Sequence, residues 1–286
     1  MENSILKIDV NEKGAELDRI YNKETGIDYL WSGDPAFWAK KSPVLFPIVG
    51  TLKNDQYLFD GNTYSLSRHG FARDKTFGLV EKNADRLRFR ITDAPETKNQ
   101  FPFSFQFDIV YAISGNQLSV TYEVTNTGSQ PLYFSVGGHP AFRVPLAEGT
   151  GYEDYYLQCN QKENACRWPI SADGLIENDP IPLLEHTDRL NLSKALFSKD
   201  ALVFKGLKSD EISLRSEKTS HGLSFQFPGF PFLGIWAAKG ADFVCIEPWC
   251  GIADAVDHNQ QLIEKEGINK LGSKAIFSRT WIASFF

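Results

Sequence analysis

Phe103-Ser104-Phe105-Gln106-Phe107-Asp108-Ile109-Val110-Tyr111-Ala112-Ile113 carries a large apolar side chain at every odd position. Successive side chains of an extended chain point to opposite sides, so Phe103, Phe105, Phe107, Ile109, Tyr111 and Ile113 share one face. A helix would need the apolar positions three to four residues apart. Ser114-Gly115-Asn116 then makes a turn into Leu118–Val124, where Leu118, Val120, Tyr122 and Val124 alternate with Ser, Thr and Glu. On the other flank, Leu87, Phe89 and Ile91 alternate with arginines. Ile212/Leu214 and Leu223/Phe225/Phe227 repeat the pattern later in the chain. Asp60-Gly61, between Tyr57–Phe59 and Asn62–Leu66, predicts a hairpin, because both residues tolerate positive φ. Helix signals are confined to short pieces around Pro35–Lys40 and Leu192–Phe197. Many short strands with frequent turns predict an all-β sandwich or barrel. No linker, repeat or low-complexity tract divides residues 1–286, which are read as one large domain.

Composition agrees with that reading and removes several functions. The 22 Phe, 10 Tyr and 6 Trp favour pleated, half-buried surfaces. A net charge of −6 argues against nucleic acid or an anionic membrane as partner. No window approaches the roughly 20 apolar residues of a membrane-spanning helix, and Met1–Gly14 lacks a signal-peptide core. Cys159, Cys166, Cys245 and Cys250 do not have zinc-site spacing and are read as reduced thiols of a cytoplasmic protein. The chain contains no dinucleotide fingerprint, no phosphate-binding Walker loop, no G-x-S-x-G and no H-E-x-x-H, so no metal or organic cofactor is expected.

Three segments place chemistry-bearing residues in unusual company. His69 lies in Arg68-His69-Gly70-Phe71-Ala72-Arg73, and His139 in Val136-Gly137-Gly138-His139-Pro140. Paired glycines let backbone approach a ligand closely, and the proline fixes the exit. Either histidine alone is equally a turn residue satisfying nearby carbonyls. Glu247 interrupts the apolar run Phe243-Val244-Cys245-Ile246-Glu247-Pro248-Trp249-Cys250. A carboxylate there is costly unless paired or used, and burial raises its pKa. Pro248 is expected to end the strand beside it. The competing reading is an edge strand with Glu247 turned outward. Period two puts Cys245 and Glu247 on one side and Val244 and Ile246 on the other.

Pro43–Gly50, His69–Arg73, Gly138–Pro140, Gly234–Trp236 and Ile246–Asp254, in this order, resemble the aldose 1-epimerase superfamily and its LacX-like branch. The resemblance implies a large antiparallel β-sandwich of the galactose mutarotase type with an open sugar cleft. It implies Glu247 as general base, His139 as general acid toward the ring oxygen, and His69 and Asp200 as sugar-binding residues. Many relatives carry an arginine where this chain has Thr51, and Lys53 or Arg73 is the expected replacement cation. Trp236 is either a sugar-stacking ring or a core residue. The implied reaction is cofactor-independent interconversion of α and β anomers, in which a base takes the anomeric hydroxyl proton and an acid protonates the ring oxygen. Glu247 and His139 are therefore expected to face each other across a hollow wide enough for a pyranose. Three activities stay open: mutarotation of a free hexose, mutarotation of a hexose 6-phosphate, and carbohydrate binding without catalysis. The remaining histidines, His186, His221 and His258, are expected at the surface.

Overall fold

The alternating runs pair as antiparallel strands. In the computed structural model, which describes residues 1–286, nine strands form the larger sheet. Their order is Ile181–Asn191, Tyr155–Arg167, Glu211–Ser216, Leu223–Gln226, Ile276–Phe285, Gln117–Asn126, Phe105–Ser114, Arg86–Thr92 and Gly78–Lys82. The segment that decided the reading runs as a strand from Phe105, and Leu118 lies opposite Ile113. Its odd-numbered side chains are buried. Its outer face carries Asp108, which accepts from Arg88 and Arg90 on the neighbouring strand at 2.7–2.8 Å. One side is dry and the other is stitched by cross-strand charge, as alternation requires.

The second sheet runs Leu202–Lys205, Phe232–Trp236, Phe243–Cys250, Val136–Gly138 and Val44–Leu45, with Ala141–Arg143 also pairing with Phe243–Cys250. The two large sheets meet closely at Gly138. A Cβ there would stand 2.5 Å from Tyr122 Oη and 3.1 Å from Trp281 Nε1, both on the nine-stranded sheet. A continuous core of 66 buried residues lies between and around them. A smaller cluster of nine, including Trp249, Val203 and Phe232, sits against the other face of the six-stranded sheet.

The hairpin at Asp60-Gly61 forms as read, with φ of 48° and 74° and Phe59 opposite Asn62. Three expectations change. Pro35–Phe37 is a turn closed on Asp34 O by the N–H groups of Phe37 and Trp38, too short for helix, whereas Lys194–Phe197 does form a 3₁₀ turn. His258 is largely covered by Asp254 rather than exposed. Pro248 does not end its strand, and the ladder runs on to Cys250. The reason is the break in the neighbouring strand at His139-Pro140. Ile246 N–H points to that side and bonds Pro140 O at 3.3 Å. Two residues on, the donor that Pro248 lacks falls at the same broken flank, where the ladder has no regular partner to lose.

Candidate active site

The break that admits Pro248 also exposes one patch of the sheet to a cleft of about 840 Å³. Glu247 rises from the middle of the central strand, paired with Gly234 on one flank. That strand is interior, so the outward-facing edge position is excluded, and Glu247 is 1% exposed. His139 occupies the interruption opposite and is 8% exposed. The Nε2 of His139 stands 3.3 Å from Glu247 Oε2. The two groups are side by side and leave no room for a ring between them. This corrects the expectation of a sugar held across the pair. A pyranose has to lie over it.

Burial sets the protonation of both. Loss of water raises the Glu247 carboxyl well above its ordinary 4.5, against the opposing pull of Arg68. The same loss drops the His139 imidazole to about 3, with Arg68 and Arg73 adding to the depression. Each group therefore prefers its neutral form, and the pair holds one proton over a wide pH range. Three rings surround the imidazole: Trp38 at 4.9 Å and 32°, Trp236 at 5.6 Å edge-on, and His69 at 5.8 Å edge-on.

His69 is held differently. Its φ is +69°, and Gly70 beside it has φ +70°. A Cβ on Gly70 would come within 2.4 Å of Phe46 O, so only glycine lets the turn sit this close to the sheet. The Gly50 N–H donates to His69 Nδ1 at 3.1 Å, and the His69 N–H returns to Gly50 O at 2.9 Å. Burial lowers this imidazole well below 6.5. A neutral ring whose Nδ1 accepts must carry its proton on Nε2, which leaves a fixed donor at the cleft.

The remaining candidates divide. Asp200, at φ +96°, lines the cleft with its carboxylate 3.7 Å from Arg68. Arg73 and Trp236 line it too, and Arg73 Nη2 donates to Arg68 O at 2.8 Å. Lys53 does not reach it. Its Nζ donates to His258 O at 3.2 Å and its N–H to Asp254 Oδ2 at 2.9 Å, fastening it to the segment after the Glu247 strand. Thr51 lies under Gly174, whose Cβ would meet Thr51 Oγ1 at 2.6 Å, so the loop Ser171–Gly174 covers the place from which an arginine would project. Arg68 and the expected Arg73 are the arginines that line the cleft.

Several cleft residues escaped sequence reading: Trp38, Ser171, Gly174, Lys199, Lys239 and Trp249. All but Trp249 come from loops without periodicity. Only Trp249 had a legible signal, since alternation places it on the side of Glu247, two residues away. Cys245 shares that side. One donor atom each from His139, Cys245 and Glu247 lies within 4.8 Å of the others, so these are the residues able to hold a cation.

Comparison with known proteins supplies the family. A sequence model described as Aldose 1-epimerase matches residues 1–266. The chain belongs to the aldose 1-epimerase family. It is 34% identical over 281 residues to the chromosomal Protein LacX of Lactococcus lactis subsp. lactis, covering 95% of this chain and 93% of that protein. A galactose mutarotase related enzyme from Lactobacillus acidophilus superposes with a TM-score of 0.96 at 33% identity, over 100% of this chain and 96% of that one. A galactose mutarotase-like protein from Lactobacillus casei gives 0.94 at 30% identity, over 100% and 99%. The two packed antiparallel sheets are the galactose mutarotase type of β-sandwich. Aldose 1-epimerase family membership carries the general function of a sugar epimerase or mutarotase. No helix of the chain is long and apolar enough to cross a membrane.

Proposed function

We propose that the protein interconverts the α and β anomers of a free aldohexose, with Glu247 as base and His139 as acid. The observation that carries this reading is the buried His139–Glu247 pair at 3.3 Å on the cleft floor. The anomeric hydroxyl and the ring oxygen share one carbon, so the groups that serve them must stand next to each other. In the resting pair the proton sits on the carboxyl, since burial favours both neutral forms. Its transfer to Nε2 arms the pair, leaving a carboxylate to take the O1 proton and an imidazolium to protonate the ring oxygen. Ring opening, rotation about C1–C2 and the reverse transfers complete the cycle with no net change in the protein. His69 Nε2–H, Asp200 and Arg68 orient hydroxyls, and Trp236 offers an apolar face to the sugar.

Polarimetry or NMR of freshly dissolved α-glucose and α-galactose tests this directly. Saturable acceleration that disappears in Glu247→Gln is expected. Sugar binding without acceleration on any hexose would refute catalysis and leave a binding protein.

One observation favours a second substrate. Arg68, Arg73, Lys199 and Lys239 all line the same cleft, with Asp200 and Glu247 as the acidic groups. Converging cations are what a phosphate needs. Glucose 6-phosphate is therefore the third substrate in the assay, and a kcat/KM for it exceeding that of glucose would assign the phosphorylated sugar.

A further inference from the structure

We propose that His139, Cys245 and Glu247 form a binding site for a soft divalent cation of the Zn²⁺ type, and that an ion seated there arrests the enzyme. Metal ligation needs only the geometry of these three residues. The arrest rests on the functional reading above.

The donor set is the first argument. An imidazole, a thiol and a carboxyl are the three side-chain types that zinc takes, and three protein ligands with one open position is its habit in sites that admit a water or substrate. Here the open position faces the cleft, since His139 and Glu247 line it while Cys245 closes the site from beneath at 0% exposure. Distance is the second argument. Zn–N and Zn–O bonds of about 2.0–2.2 Å at a tetrahedral angle hold the two donor atoms about 3.3 Å apart. The Nε2 to Oε2 separation is 3.3 Å. The third donor lies within 4.8 Å of both and has to close by roughly 1 Å for a Zn–S bond of about 2.3 Å. That is a side-chain adjustment of Cys245, with the strand left in place.

Charge is the third argument. A thiolate, a carboxylate and Zn²⁺ sum to zero, so the loaded site is formally neutral in a place where burial penalises net charge. Two protons leave to solvent, one from the Cys245 thiol and one from the Glu247–His139 pair, and no electron is moved. The thiol resists ionising on its own, because burial and the neighbouring Glu247 raise it well above 9. Coordination removes that proton outright. The ion then replaces the proton of the Glu247–His139 pair and occupies the lone pairs of both proton carriers.

The test uses the full chain freed of metal by a chelator. Co²⁺ is added as the probe and the near-ultraviolet thiolate-to-cobalt band is read, with Zn²⁺ displacing it. A band at one equivalent is expected in the wild type and in Cys250→Ser. Cys245→Ser should lose it and bind Zn²⁺ at least about 100-fold more weakly, since even outer-shell partners are worth roughly 10–100-fold in metal affinity. Zn²⁺ should lower mutarotation by more than about tenfold, restored by chelator, as each occupied proton carrier is worth roughly 10²–10⁴-fold. No band in the wild type, or equal binding in Cys245→Ser, would overturn the proposal. If Cys245→Ser fails to fold, zinc-edge anomalous density in a soaked wild-type crystal decides, and density away from these three residues overturns it. A band without mutarotation would sink the functional reading and leave the metal site standing.

Discussion

Burial favours a neutral Glu247 carboxyl beside a neutral His139 imidazole, and the pH dependence of turnover follows from that. The pair carries one proton between two macroscopic pKa values that belong to the pair rather than to either residue. Adding a second proton to the imidazole, which burial holds at about 3, removes the base and sets the acid limb. Losing the last proton, held by a carboxyl raised well above 4.5, removes the acid and sets the alkaline limb. The expected kcat/KM profile is flat between these limits, and it should fall at low pH through a value far below that of an ordinary histidine. An acid limb centred near 6.5 would show that His139 titrates alone. Glu247→Gln and His139→Asn are each expected to lower kcat by about 10²–10⁴-fold. Sugar binding, followed by calorimetry, should survive in both, because His69, Asp200 and Trp236 stay in place. Unchanged turnover in His139→Asn would remove its role as acid.

The strand Phe243–Cys250 sets both pair and wall, and its packing predicts a different class of defect. A Cβ on Gly234 would stand 2.5 Å from Cζ2 and Cη2 of Trp249. Gly234→Ala must push the indole toward the cleft. A cost of about 1–3 kcal/mol in stability is expected from such overpacking. Steady-state kinetics should show a raised KM with a smaller change in kcat, since Glu247 itself does not move. The segment after this strand depends on a buried ion pair. Lys265 Nζ lies 2.7 Å from Asp254 Oδ1, and both side chains are at most 1% exposed. Asp254→Ala strands the ammonium, and chemical denaturation should report a loss of about 3–5 kcal/mol. A loss near zero would mean that Lys265 turns out to solvent. At this scale the sequence was partly transparent. Phe105, Phe107, Ile109 and Tyr111 announced their strand because large apolar side chains on one face alternate with mostly polar or small ones on the other. Phe243–Cys250 concealed its course, because both faces are buried and alternation no longer distinguishes them. Its proline read as a stop signal because the break in the neighbouring strand lies about 100 residues upstream.

The assembled molecule joins elements from almost every part of the chain at one cleft. His69, His139 and Glu247 could be singled out by local oddity, a histidine before a glycine between arginines, paired glycines and an acid in an apolar run, whereas Asp200 came only through the family resemblance. Trp38, Ser171 and Lys239 could not, since loop residues follow neither a two-residue nor a helical period. Lys53 illustrates the converse error. Its neighbourhood in sequence pointed to the cleft, while the fold ties it to His258 and Asp254 instead. The core passes without interruption between the two large sheets, so we expect residues 1–286 to unfold as one unit. Differential scanning calorimetry should give a single transition whose calorimetric and van't Hoff enthalpies agree, and two resolved transitions would divide the chain into domains.

The neighbour of the Glu247 strand is split in two, with His139 lodged in the gap. The proposed acid and base thereby sit on or between sheet strands, while much of the cleft rim is made of loops such as Ser171–Gly174 and Lys199–Asp200. Engine and upholstery are separable in such a layout. Grafting another member's version of the Ser171–Gly174 loop onto this frame should alter which sugars are accepted and leave the acidity dependence of the rate untouched.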